Sequence, residues 1–210
     1  MANTPRGEKT RTDSLGNVPQ ALDHDPPAKD KVTPLGVLVL ATGLLTLVFG
    51  HGETSDFWID SLRVWWTSVR ERFRGIRRLV IYLDNGPNNS GLRRQFLKRM
   101  VEFADWSGLE IRLVYYPPYH SKYNPIERCW SSLQKKWNGI LLTSLSVVLA
   151  MARRMIWKGR SPEVHHLEGT YRKGVTVSDR DMGKVKARLS RSATLPKYDI
   201  TIKPKQPRGR

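Results

Sequence analysis

The chain has 210 residues, 39 % of them hydrophobic, which suits one ordinary domain with tails and excludes a short disulfide-stapled scaffold. Thirty-six Lys and Arg against nineteen Asp and Glu leave a formal charge of +17, a field that draws polyanions and makes nucleic acid the expected partner. The single cysteine, Cys129, excludes an internal disulfide or a multi-cysteine zinc site and fits a reducing compartment.

Residues 1–31 balance five basic against five acidic side chains, and Met1 to Gln20 lacks the apolar core of a secretory signal. Rich in Pro, Gly, Asn, Asp and Thr, with Asp25-Pro26-Pro27 near its end, this segment reads as a flexible arm or remnant. The nineteen uncharged residues between Lys31 and His51 raise the question of a membrane span. Pro34, Gly36 and Gly43 interrupt the run and Val37, Val39 and Val48 are β-branched, so a buried β-hairpin turning at Thr42-Gly43 is expected.

A helix follows, capped by Thr54 or Ser55, with Trp58, Leu62, Trp65, Trp66, Val69 and Phe73 at helical spacing. The tryptophans read as core. Leu79 to Leu83 reads as a buried strand ending at Asp84, after which Asn85-Gly86-Pro87-Asn88-Asn89 must turn. A second helix is expected over about Leu92 to Trp106, with Leu92, Phe96, Met100 and Phe103 on one face. The strand Ile111 to Tyr115 stops at Pro117-Pro118. A third helix begins at Asn124, buries Ile126, Trp130, Leu133 and Trp137, and ends near Asn138-Gly139. Further helices are expected over about 145–157 and 179–190, the second opened by Ser178. The order of elements points to an α/β domain with a mixed sheet and helices against it. The expected division is an arm over 1–31, a core over 32–160, and a basic extension with one helix and a tail over 161–210.

Two carboxylates occupy positions where chemistry gathers in α/β sheets: Asp84 at the end of a buried strand and Glu127 in the first turn of a helix. Each also has a purely structural explanation. Asp84 begins an Asp-Asn-Gly turn in which its side chain can bond its own backbone. Glu127 fits a capping box with Asn124 as N-cap and Pro125 at the first helical position. In a basic chain, however, two such carboxylates can hold a divalent cation against phosphate, as phosphoryl transfer requires.

Leu83-Asp84-Asn85-Gly86-Pro87 and the longer string Tyr116-Pro117-Pro118-Tyr119-His120-Ser121-Lys122-Tyr123-Asn124-Pro125-Ile126-Glu127-Arg128-Cys129-Trp130 resemble the catalytic core of bacterial insertion-sequence DDE transposases of the Rhodopirellula type, distant relatives of the Tc/mariner group. The resemblance extends through Ala21 to Asp25, Thr54 to Phe57 with Trp65-Trp66, and Met155 to Gly159 on to Thr170-Tyr171. It implies an RNase H-like α/β fold, a mixed sheet with flanking helices, and metal-dependent cleavage and rejoining of DNA at transposon ends. By that resemblance Asp84 matches the second catalytic and metal-ligating carboxylate and Glu127 the third, with two Mg²⁺ or Mn²⁺ ions as cofactors. The family's first carboxylate has no match, so the expectation is an N-terminally truncated core lacking the opening central strand. Asp23 or Asp25 is the substitute ligand to consider.

Asn85, Asn88, His120 and Lys122 are candidate DNA contacts or loop-ordering residues. The last 66 residues, with sixteen basic and five acidic side chains, offer a DNA-facing surface: Arg153, Arg154, Lys158, Arg160, Arg172, Lys173, Lys184, Lys186 and Arg188. The expected partners are transposon-end and target DNA, with a homodimer possible on paired ends, and the expected place is the cytoplasm, on the nucleoid. The competing readings are a non-catalytic DNA-binding remnant and a small membrane-associated basic protein.

Overall fold

The computed structural model describes residues 31–117, 120, 123–140 and 142–205. The expectations for the N-terminal arm, including Asp23 and Asp25, and for Lys122 lie outside the described residues. The chain divides into two compact units, one holding the described residues of 31–52 and 125–170 and the other those of 53–124 and 171–205.

In the first unit the uncharged run folds as the expected hairpin. Strand β1 (Thr33–Leu38) pairs antiparallel with β2 (Leu45–His51), Leu35 lying opposite Val48. The turn closes through Val39 N–H to Leu44 O at 2.9 Å, with Gly43 at φ +72°, a conformation that favours glycine. Among the described residues no helix is long and apolar enough to cross a membrane. Strand β5 (Glu163–Thr170) runs parallel to β2 on its other side, giving the order β1-β2-β5. Helices α3 (Ile126–Trp137) and α4 (Leu145–Arg153) contribute Cys129, Leu133, Val148 and Ala152 to a core with Leu45, Leu47 and Phe49 of β2. The α3 stripe is as expected from spacing, with Ile126, Trp130 and Trp137 half-buried against that core. Cys129 completes it. Burial pushes its thiol up to about 11, against a small opposing effect of Lys158. Iodoacetamide is therefore expected to alkylate Cys129 about 100-fold more slowly in the native chain than in urea, followed by mass spectrometry.

In the second unit Thr54 caps α1 (Ser55–Val69), its hydroxyl accepting from Phe57 N–H at 3.2 Å. A 3₁₀ turn (Arg70–Phe73) leads into β3 (Arg78–Leu83), then α2 (Arg94–Ser107) and β4 (Glu110–Tyr115), which runs parallel to β3. Phe96, Met100 and Phe103 are fully buried on the inner face of α2, as their spacing predicts. Leu92 departs from the expectation at 72 % exposed. The helix begins two residues later, so the helical phase that would have turned Leu92 inward does not reach it.

Beyond residue 161 the sequence reading anticipated one helix, and α5 (Asp179–Lys186) is present, capped by the Ser178 hydroxyl accepting from Asp181 N–H. The structure adds strands that were not anticipated there: β5 in the first unit, and β6 (Leu189–Arg191) and β7 (Asp199–Ile202) in the second. β7 pairs antiparallel with β4, setting Ile202 opposite Ile111 and Ile200 opposite Leu113, all four fully buried. The sheet order is β3-β4-β7-β6.

Ion pairs hold this C-terminal segment in place. Arg188 donates to Asp105 Oδ1 at 2.6 Å, Lys205 N–H donates to the same oxygen at 2.7 Å, and Arg112 grips Asp199 with two bonds of 3.0 and 2.6 Å. Burial alone would raise the Asp105 carboxyl, but the bonds from Arg188 and Lys205 and their charges outweigh it and hold it low. Asp199 is held low by the Arg112 hydrogen bond. A carboxyl depressed in the folded state adds stability that is complete above its unfolded value, near 4, and is lost as pH falls through the folded one. Urea unfolding is therefore expected to show stability falling as pH drops below about 4, with a shallower fall in Asp105→Asn.

Candidate active site

Asp84 leaves β3 at the C-terminal end of a parallel strand pair, where side chains project beyond the sheet. It is exposed, and its Oδ1 accepts from the Asn89 side-chain amide at 2.8 Å and from Gly86 N–H at 3.3 Å. The expected Asx-type turn is thus formed. Asn85 sits at φ +61°, a left-handed conformation that asparagine tolerates better than most residues, so it suits the turn of the chain here.

The loop is tied down from three sides. Ser55 Oγ donates to Asn88 O at 2.8 Å and accepts from Arg93 Nε at 2.9 Å, while the Tyr115 hydroxyl donates to Asn89 O at 2.9 Å. Burial first, and the nearby Asp84 charge, push the Tyr115 phenol well up against the opposing pull of Arg191, so it remains a donor at every physiological pH. Gly91 fits because a side chain there would press on the Tyr115 ring and Ile200. Tyr116 N–H bonds Leu83 O at 2.8 Å, joining the ends of β3 and β4.

Glu127 is the second residue of α3 and is exposed. The capping box expected at this helix is not made: the N-cap is Pro125, no side chain caps the helix, and Asn124 lies outside it. Among the described residues no hydrogen bond or ion pair engages the Glu127 carboxylate. The capping explanation therefore falls away, leaving a carboxylate whose charge suits a helix start, on the face opposite the buried Cys129 and Leu133.

Asp84 belongs to the second compact unit and Glu127 to the first. Among the described residues no three His, Cys, Asp or Glu side chains converge as a metal cage. The donor chemistry at Asp84 nonetheless suits a hard divalent cation: carboxylate oxygens lie beside Asn89 Oδ1, a buried carbonyl oxygen without a partner. Asn89 and Tyr115 are the functional-loop residues that sequence reasoning missed; the signal available was the polar turn Asp-Asn-Gly-Pro-Asn-Asn, which demands side chains to satisfy it.

His120 is exposed and stacks on Tyr123, ring centroids 5.7 Å apart. Of the expected basic surface, Arg153, Arg154, Lys158, Arg160, Arg172, Lys173, Lys184 and Lys186 are exposed. Arg188 is not part of it, because its guanidinium is committed to Asp105 and to Lys203 O.

Two mixed sheets with flanking helices, a carboxylate at a parallel strand end and a second at a helix start define a mixed α/β protein compatible with the RNase H-like fold of DDE enzymes. The chain belongs to the Rhodopirellula transposase DDE domain family, whose family model matches residues 5–204. No curated protein and no solved structure matches it.

Proposed function

We propose that this chain acts in DNA transposition through metal-dependent cleavage and joining of DNA strands, with Asp84 and Glu127 as the carboxylates of the active site. The observation that carries the reading is the state of Glu127: within the family's domain, at a helix start, it makes neither the cap nor the ion pair that would explain it structurally. Asp84 and Glu127 would hold Mg²⁺ or Mn²⁺, hard cations that take oxygen ligands. Such ions, when bound, supply Lewis-acid polarisation of the scissile phosphodiester and neutralise charge as the leaving oxygen departs.

The chain's own residues supply orientation. Asn89 and the Gly86 N–H fix one Asp84 oxygen, and Tyr115 and Ser55 fix the loop that carries Asp84 and Asn89. Exposed lysines and arginines after residue 150 attract the phosphate backbone, which predicts affinity that falls steeply with salt. His120 and Lys122 precede Glu127 and are proposed phosphate contacts.

The test is strand nicking of duplex DNA carrying the element's ends, with Mg²⁺ or Mn²⁺ against chelator. Cutting that needs the cation and is lost in Asp84→Asn and Glu127→Gln supports the reading; cutting that survives either substitution overturns it. The second reading, a non-catalytic DNA-binding protein, is favoured by a formal charge of +17 beside no group of three metal-ligating side chains among the described residues. Its mark is salt-sensitive DNA binding with no cutting under any cation.

A further inference from the structure

Between α1 and β3 the chain reads Arg70-Glu71-Arg72-Phe73-Arg74-Gly75-Ile76-Arg77-Arg78, five arginines and one glutamate in nine residues. This is the densest run of positive charge among the described residues, and it falls outside the basic C-terminal third. Glu71 pairs with Arg74 and, at 3.8 Å, with Arg70; Glu110 pairs with Arg78 at 2.6 Å. These two carboxylates serve Arg70, Arg74 and Arg78, and Arg77 adds a further exposed positive charge on the same turn. The Arg70, Arg74 and Arg78 side chains are 57, 82 and 59 % exposed.

Beside this turn lies a cleft of about 300 Å³ whose lining includes Trp66, Arg70, Glu71, Arg74, Ile76 and Trp106. Trp106 is 46 % exposed and Ile76 39 %, although α2 buries Met100, Phe103 and Ala104 only a turn away. The Arg63 guanidinium lies over one face of the Trp106 ring, its carbon 5.5 Å from the centroid, and Phe103 lies 5.7 Å away, so the indole is held in place and the solvent-open part of it is what a base would meet. Gly75, at φ +89°, forms the tip of the turn with nothing within 4 Å of where a side chain would begin, which lets an incoming chain approach the backbone.

We propose that this arginine turn and Trp106 form a second nucleic-acid contact, in which the guanidinium groups grip the phosphates of single-stranded DNA and an unpaired base stacks in the cleft on Trp106. Guanidinium groups suit phosphate because their planar fork donates two bonds at once. An aromatic platform beside a basic groove is what non-sequence-specific single-strand binding requires. The cleft lies at the low end of small-ligand pocket sizes, room for one planar base and not for a larger molecule. It also stands at the opposite end of β3 from Asp84, about 20 Å along a six-residue strand, so it is separate from the candidate carboxylate. The inference rests on DNA being the partner and not on strand cleavage.

Fluorescence anisotropy of the full chain with labelled oligothymidylate, in chelator so that no cutting intervenes, tests it. Arg70→Gln/Arg74→Gln/Arg77→Gln is expected to weaken Kd at least about tenfold and to reduce the slope of log K against log salt by about 2. A control removing the same charge from exposed sites elsewhere, Lys135→Gln/Lys136→Gln/Lys197→Gln, is expected to lose less than about threefold. Trp106→Ala is expected to lose about five- to twentyfold with the salt slope unchanged, and Trp106→Phe to restore most of it. Equal losses in the arginine variant and the control, unchanged affinity in Trp106→Ala, or no binding by the wild-type chain would each overturn the proposal. Thermal melts of every variant confirm that folded protein is being compared.

Discussion

Asp84→Asn and Glu127→Gln are each expected to lower cation-dependent strand cleavage by about 10³-fold, roughly 4 kcal/mol of barrier, while leaving the fold in place. The fold is spared for reasons specific to each position. Asparagine at 84 keeps a carbonyl oxygen where Oδ1 now accepts from Gly86 and Asn89, so the turn keeps its bonds. Asp84→Ala would instead leave the Asn89 amide without its acceptor, at about 1–2 kcal/mol, which makes the isosteric change the better probe. Glutamine at 127 loses only the attraction of a negative charge for a helix start, about 0.3–1 kcal/mol, because no cap hydrogen bond exists to be broken. Melting temperatures should therefore fall by no more than about 3 °C while nicking disappears. Nicking rates that track stability, or do not change at all, would return both residues to the turn and helix-start roles.

The contrast between these two carboxylates shows what local sequence can and cannot convey. The hairpin at Thr42-Gly43, the Thr54 cap and the buried faces of α2 and α3 follow from patterns confined to a few neighbouring residues, and each formed as those patterns require except at Leu92, which precedes α2. Asp84 also behaves locally, since its partners Gly86 and Asn89 lie within five residues. Glu127 could not be read that way: Asn-Pro-Ile-Glu carries the composition of a capping box, but the helix starts one residue too late for Asn124 to cap it. The strands after residue 161 were hidden for a different reason. β6 and β7 span three and four residues, too short for alternation to register, and β7 exists because Ile200 and Ile202 meet Leu113 and Ile111 some 90 residues away. Tyr115 looked like the end of a core strand, and its tie to Asn89 appears only when the loop returns over it.

Among the ion-paired side chains, Arg99 is the one whose removal is expected to cost the most stability, and nothing in the periodicity of α2 marks it. Its guanidinium, 17 % exposed, meets three carboxylates: Asp56 at 2.9 Å, Asp60 at 2.5 Å and Glu102 at 2.9 Å. Asp56 and Asp60 stand one turn apart on α1, so the network joins α1 to α2 along the polar margin of their contact, with Gln95 donating to Asp56 at 2.9 Å. Burial works to lower the Arg99 pKa, and the Asp60 charge, with Glu102 and Asp56, more than reverses it, so the group stays charged. Tyr171 is pushed up to about 12 by burial and by Asp60, and so keeps its proton beside the same cluster.

Arg99→Ala would leave three carboxylates facing one another without a cation. A fully buried pair broken in this way costs about 3–5 kcal/mol, and the partial exposure of these carboxylates brings the expected loss to about 2–3 kcal/mol, or some 4–10 °C in Tm. Arg99→Lys, which keeps the charge but cannot reach three acceptors at once, should fall between the wild type and the alanine variant. If repulsion among the acids is the cause, Asp60→Asn should recover part of the loss in the Arg99→Ala background while destabilising the wild type, a coupling that a double-mutant cycle measures. Equal melting of Arg99→Ala and Arg99→Ala/Asp60→Asn would mean instead that the lost packing of the arginine stem, rather than its charge, is what held the two helices together.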